Sequence, residues 1–201
     1  MLKIIKTPSK TLVPLITGFM LLTALQSIAL SKEAAIIDPT ARFHPVYSQS
    51  GMVVSQEIVA SQIGADILSQ GGNAIDAAVA TGFALAVTLP RAGNLAGGGF
   101  MMIHLAEENK TIALDYREMA PSDASRDMFL DGQGDVDNQL ARFSIKSSGV
   151  PGTVAGLLHA HEQYGSLSLS KVLNPAIKIA KNGIKVTVDL SSSLASRAER
   201  L

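Results

Sequence analysis

Few side chains in this sequence have the type and spacing to do chemistry. His161-Glu162 would open a zinc helix if a second histidine stood at position 165, but that residue is Gly165. His159 and His161 are two residues apart in a helical run and so face different ways. His44 and His104 are isolated, and there is no cysteine, which removes thiolate metal sites, disulfides and a cysteine nucleophile. No serine-nucleophile elbow or phosphate-binding loop is present, and Gly97-Gly98-Gly99 lacks the spacing of a dinucleotide fingerprint. What remains is Arg117, inside Asp115-Tyr-Arg-Glu-Met-Ala-Pro121. A guanidinium fork can hold a carboxylate through two parallel hydrogen bonds and stays charged at any working pH. Spacing by itself favours a plainer role, a surface ion pair with Asp115 or Glu118. Asp76 reads as a helix-capping and dipole-matching residue rather than an acid or base. The glycines at 97–99 fit either close packing or close backbone approach beside a cleft, and packing is favoured.

The elements that must position these residues are legible in part. Gly51-Met-Val-Val-Ser55 reads as a short apolar strand, and Ser55 as the cap of a helix from about Gln56 to Leu68, stopped by Gly71 and Gly72. Asn73 should cap a second helix, Ala74 to about Thr88, closed by Pro90. That helix is built almost wholly of small residues, so it should be buried all round. Phe100–Leu105 and Thr111–Tyr116 read as a hairpin. Asp131–Asn138 reads as a surface loop. Helices are expected from Pro151 to Tyr164 and from Lys171 to Ala180, and a last one capped by Asp189. Strand, two helices, a hairpin and further helices make an α/β (α+β) layered class and not a dinucleotide-binding repeat.

Lys3, Lys6 and Lys10 precede an uncharged, mostly apolar run from Leu12 to Leu25, with Ser27 and Ala29 beyond it. This is the pattern of a cleaved secretory signal, and the run is short of the roughly 20 residues of a membrane span. The expected organisation is a signal peptide over 1–31, an extended leader over 32–50, and an incomplete domain over 51–201, in a periplasmic or secreted protein with no stable membrane span after cleavage. The chain is formally neutral, but without those three lysines it has 14 basic residues against 17 acidic. With no basic stripe, a nucleic-acid partner is excluded. Hydrophobic residues are 47% and aromatics 4%, so the core must be aliphatic and close-packed.

Four blocks carry a resemblance: Gly71–Ala80, Gly93-Asn-Leu-Ala-Gly-Gly-Gly-Phe100, Asp115–Pro121, and Gly149-Val-Pro-Gly-Thr-Val-Ala-Gly156. In this order and spacing they are similar to the large-subunit half of the γ-glutamyltransferase family, from about Val53 to the end. The resemblance implies a self-cleaving proenzyme of the N-terminal-nucleophile class with a four-layer αββα sandwich. A threonine freed at the head of the small subunit would be the nucleophile, with its own α-amine as base. The γ-glutamyl group of glutathione or a related compound would pass to water or to an acceptor amino acid or peptide, with no metal or organic cofactor. Arg117 matches the family arginine that grips the substrate α-carboxylate, which reverses the preference for a surface ion pair. Ala96 stands where many family members have a further glycine, a departure that matters if the position needs φ > 0.

Thr40, Thr81, Thr88, Thr111, Thr153 and Thr187 do not stand in the family's processing motif. No catalytic residue is therefore expected here, the missing small subunit is the expected partner, and the chain alone is expected to be inactive. Apolar faces meant for the missing half should be exposed. The alternative is a truncated, inactive remnant that binds γ-glutamyl ligands weakly. A third reading is action on another amide, such as a cephalosporin side chain.

Overall fold

A computed structural model describes residues 45–200. The signal expected over 1–31, most of the leader, His44 and Thr40 lie outside the described residues. Residues 45–50, at the end of the leader, form neither helix nor strand.

The body is organised around one buried helix. Helix α1 (Ile58–Ser69) runs into Gly71, whose φ of +87° turns the chain after the last helical residues. Helix α2 (Ala74–Thr88) follows. Its start is fixed locally: the Asn73 side chain accepts from the backbone N–H groups of Ile75 and Asp76, and Asp76 Oδ2 accepts from the Asn73 N–H at 2.9 Å. This reciprocal cap satisfies donors that the first turn of any helix leaves open. Ala77, Val79, Ala80 and Ala84 of α2 are buried together with Ala60, Ile63 and Ile67 of α1. Small side chains allow that close crossing; Thr81 Oγ1 donates to the Ala77 carbonyl of its own helix at 2.7 Å and lies 3.4 Å from the Ala60 carbonyl of α1.

Strands β1 (Phe100–Leu105) and β2 (Lys110–Asp115) form an antiparallel hairpin, with Phe100 opposite Asp115 and Leu105 opposite Lys110. The turn uses Asn109 at φ 48°, a conformation asparagine tolerates better than most residues. Side chains alternate: Ile103 is buried and Met101 packs on the core, while Phe100 and Met102 are exposed. Helix α3 (Asn138–Phe143) and a 3₁₀ turn (Ile145–Ser147) lead to α4 (Thr153–Tyr164) and α5 (Leu169–Asn182). Both of these pack on α2, and Leu157 and Val172 join its buried residues in the core. Helix α6 (Val188–Ala195) follows.

Several expectations need correction. Residues 51–55 pair with no strand among the described residues, and of their apolar side chains Val53 packs against the core while Met52 and Val54 are exposed. Ser55 does not cap α1. The cap position is Glu57, without a side-chain bond, and Ser55 Oγ instead meets Ser61 Oγ at 2.8 Å. The Asp131–Asn138 loop ends in a helix that the polar composition concealed, because Asp137 accepts from the N–H groups of Gln139 and Leu140 and starts α3. Helix α6 is capped by Thr187, whose Oγ1 accepts from Leu190 N–H; Asp189 lies in the first turn and pairs with Arg91 at 2.9 Å. Helix α5 starts at Leu169 and carries Pro175 inside it.

Candidate functional site

Three of the four sequence blocks meet at the end of β2. The ladder continues one residue beyond the strands, since Tyr116 N–H donates to the Gly99 carbonyl at 3.0 Å. The Tyr116 ring then fills a slot whose walls are Gly99 and Gly156, and a Cβ added at Gly156 would overlap the ring. Gly152 lies against the Tyr116 carbonyl in the same way. Burial pushes the Tyr116 hydroxyl above its ordinary value of 10.0.

The glycine loop acts as a clamp. The Gly97 carbonyl accepts from the N–H groups of Gly152 and Thr153 at 2.8 and 2.9 Å. Asn94 Oδ1 accepts from Gly97 N–H at 2.7 Å and from Thr153 Oγ1 at 2.8 Å. A Cβ at Gly98 would stand 2.6 Å from the Glu118 nitrogen and from the Tyr116 carbonyl. Gly98 is therefore a close-packing residue against the backbone that carries Arg117. None of Gly97, Gly98 and Gly99 has φ > 0, and among the described non-glycine residues only Asn109 does, so Ala96 is under no such demand. On the far side, Met119 and Val150 exchange both backbone hydrogen bonds, at 3.2 and 2.8 Å.

Arg117 projects from this junction. Its backbone N–H donates to Asp115 Oδ1 at 3.0 Å, and its Nε donates to Glu118 Oε2 at 3.0 Å. The guanidinium carbon lies 5.8 Å from the centre of the Phe100 ring. The ion pair suggested by spacing is thus present, but it engages the Nε edge. Among the described residues no hydrogen bond engages Nη1 or Nη2. The side chain is 61% exposed and lines an open cleft of ≈ 370 Å³, whose other lining residues come from 118–121, 146–149 and Ala124, Met128 and Phe129. The Glu118 carboxyl is held below its ordinary value of 4.5 by its own backbone N–H first, then by the Arg117 side chain, with a smaller backbone contribution from Gly98.

The first block lies elsewhere, at the start of α2. Asp76 is fully buried and accepts from Ser166 Oγ at 2.7 Å and from the N–H groups of Ser166 and Leu167, besides its own cap bond to Asn73. His161 Nε2 is 3.0 Å from the Leu167 carbonyl and 3.5 Å from Asp76 Oδ1. Serine, histidine and aspartate converge here in the wrong order for a nucleophile, because the serine hydroxyl donates to the carboxylate and not to the imidazole. The sequence reading missed this knot. Its one signal was a lone charge in an otherwise apolar helix; the partners lie about ninety residues away.

The described threonines are all internal, so each backbone nitrogen is an amide and no α-amine adjoins the hydroxyl. Thr81, Thr111, Thr153 and Thr187 have hydrogen-bonded hydroxyls, and Thr88 is buried without a partner. His104 Nδ1 meets Thr111 Oγ1 at 3.0 Å, and His159 is exposed. Among the described residues no group of three or more histidine, aspartate or glutamate side chains could hold a metal ion.

The family model for gamma-glutamyltranspeptidase matches residues 60–201. The chain belongs to that family. It is 53% identical over 152 residues to a glutathione hydrolase proenzyme of Escherichia coli, covering 76% of this chain and 26% of that protein. It is 42% identical over 154 residues to the Bacillus subtilis glutathione hydrolase proenzyme, covering 76% of this chain and again 26% of the relative. The crystal structure of Helicobacter pylori gamma-glutamyltranspeptidase superposes with a TM-score of 0.75 at 47% identity, over 78% of this chain and 45% of that one. A cephalosporin acylase from Bacillus halodurans superposes with a TM-score of 0.67 at 29% identity, over 82% of this chain and 31% of that one. The chain spans about a quarter of the curated relatives it matches. Its helices and antiparallel hairpin are a portion of the layered α/β fold of N-terminal-nucleophile hydrolases.

Proposed function

We propose that this chain supplies the carboxylate-holding part of an enzyme that takes the γ-glutamyl group from glutathione and related compounds and passes it to water, an amino acid or a peptide. Arg117 is the residue proposed to hold the α-carboxylate. The observation that carries this is that Arg117 lines an open cleft with Nε tied to Glu118, while among the described residues no hydrogen bond engages its Nη nitrogens. A fork oriented along one edge keeps the other edge for a planar anion and loses little side-chain freedom on binding. The nucleophile, proposed to be an N-terminal threonine, comes from polypeptide outside these 201 residues, as does the small subunit that carries it. Export through the basic and apolar N-terminal segment completes the reading; among the described residues no helix is long and apolar enough to cross a membrane.

The test is kinetic. In the complete, processed enzyme Arg117→Lys is expected to raise KM for a γ-glutamyl substrate at least tenfold, since one bidentate charged contact is worth about 1.5–3 kcal/mol. Kinetics within twofold of the parent would remove Arg117 from the site. A cephalosporin side-chain amide serves as the contrasting substrate. Preference for it over γ-glutamyl compounds would favour the acylase reading, to which identity of 29% against 47% gives less support.

A further inference from the structure

Phe100 heads β1 directly opposite Asp115, on the exposed face of the hairpin. The core is served by Met101 and Ile103, and the Phe100 ring stays in solvent. The Arg117 guanidinium carbon lies over that ring, 5.8 Å from its centre, inside the ~6 Å reach of a cation–π contact. Both side chains are carried on one end of the ladder. Gly99 and Tyr116 exchange both backbone hydrogen bonds, at 3.3 and 3.0 Å, and Asp115 Oδ1 accepts from the Arg117 N–H at 3.0 Å. Phe100 follows Gly99 and Arg117 follows Tyr116, so paired backbone sets the spacing of ring and cation. Glu118 restrains the guanidinium at Nε. An aromatic face attracts the charge as a whole and needs no particular N–H donor, so it adds a second restraint without claiming Nη1 or Nη2.

We infer that Phe100 is a positioning residue for substrate binding: its ring holds the Arg117 guanidinium in the orientation that receives the α-carboxylate. The inference rests on the reading of Arg117 as the carboxylate-holding residue. An exposed arginine samples many rotamers, and that freedom is given up when a carboxylate binds. A ring that holds the cation beforehand lowers the cost. Removing the ring therefore weakens binding and leaves the chemical step alone, which raises KM with kcat unchanged.

The experiment varies the electron density of the ring and keeps its shape. Mono-, di- and trifluorophenylalanine are placed at position 100 of the complete, processed enzyme, since each fluorine drains the negative ring face that attracts a cation. KM for a γ-glutamyl substrate is expected to rise in order of fluorine count, with kcat unchanged. Phe100→Leu should raise KM about two- to fivefold, the range of one exposed cation–π contact, and Phe100→Tyr, which keeps a ring face, should stay close to the parent. A KM that does not follow the fluorine count would overturn the assignment, because a ring that only fills space responds to size and not to charge. Arg117→Lys separates the two claims. If it raises KM at least tenfold while the fluorinated series is flat, Arg117 stands as the carboxylate residue and the Phe100 inference falls. If it leaves KM within twofold of the parent, the underlying reading falls, and this one with it.

Discussion

Among the described residues, Asp76 is the only charged side chain taken wholly out of water. Burial alone would raise its pKa. Hydrogen bonds from the Ser166 hydroxyl and from the N–H groups of Asn73, Ser166 and Leu167 outweigh that and hold it below the ordinary 3.8. A carboxyl whose folded pKa lies below its unfolded one stabilises the fold fully above the unfolded value, and that stability is lost as pH falls through the folded value. Asp76→Asn should therefore cost about 1–3 kcal/mol at neutral pH. The gap between parent and variant should begin to narrow below pH ~4, where the unfolded chain's carboxyl takes up its proton, and close as pH falls through the lower folded value. Urea titrations at neutral and acidic pH measure this, and a gap that widened on acidification would contradict the assigned role.

At the scale of elements, glycines decide which surfaces can touch, and they do not decide it equally. Gly156 lies on α4 with the Tyr116 ring where its Cβ would be. Gly82 lies on α2, where a Cβ would come no nearer than 3.2 Å to the side-chain end of Leu157. Both are helix-interior positions, so alanine gains about 0.8–1 kcal/mol of helix propensity at either. At Gly82 that gain should leave the variant neutral or slightly more stable. At Gly156 overpacking should dominate, with a net loss of about 1–3 kcal/mol and a displaced Tyr116. Because Tyr116 adjoins Arg117, Gly156→Ala should also raise KM for a γ-glutamyl donor in the complete enzyme, whereas Gly82→Ala should not. Melting curves beside kinetics of the two variants make the comparison.

The whole molecule presents one face of its hairpin to solvent. Phe100 is 65% exposed and Met102 70%, side by side with Ala113 on that face. Apolar surface of this kind marks a place for a partner or a risk of aggregation. The described threonines are internal, and most have hydrogen-bonded hydroxyls. Purified 201-residue protein is therefore expected to release no product from a chromogenic γ-glutamyl anilide. Turnover above the uncatalysed rate would overturn the view that the nucleophile comes from outside this chain.

What the sequence determined by itself was whatever depends on neighbours a few positions apart. Asn73 and Asp76 are three residues from each other, and their reciprocal cap set the start of α2 without help from the rest of the chain. The hairpin follows from alternation within two six-residue runs, and the family from four blocks in order. Arg117 as a candidate was legible too, through its block. Only tertiary structure decided what these residues meet. Residues 51–55 have the composition of a strand, but a strand needs a neighbour's hydrogen bonds and none of the described residues supplies them. Ser166 has nothing in its surroundings that announces Asp76. The clamp from Asn94 and Gly97 to Thr153 joins residues more than fifty positions apart. Such contacts are fixed by the packing of helices on a common core, and local composition carries no record of which distant backbone will pass within reach.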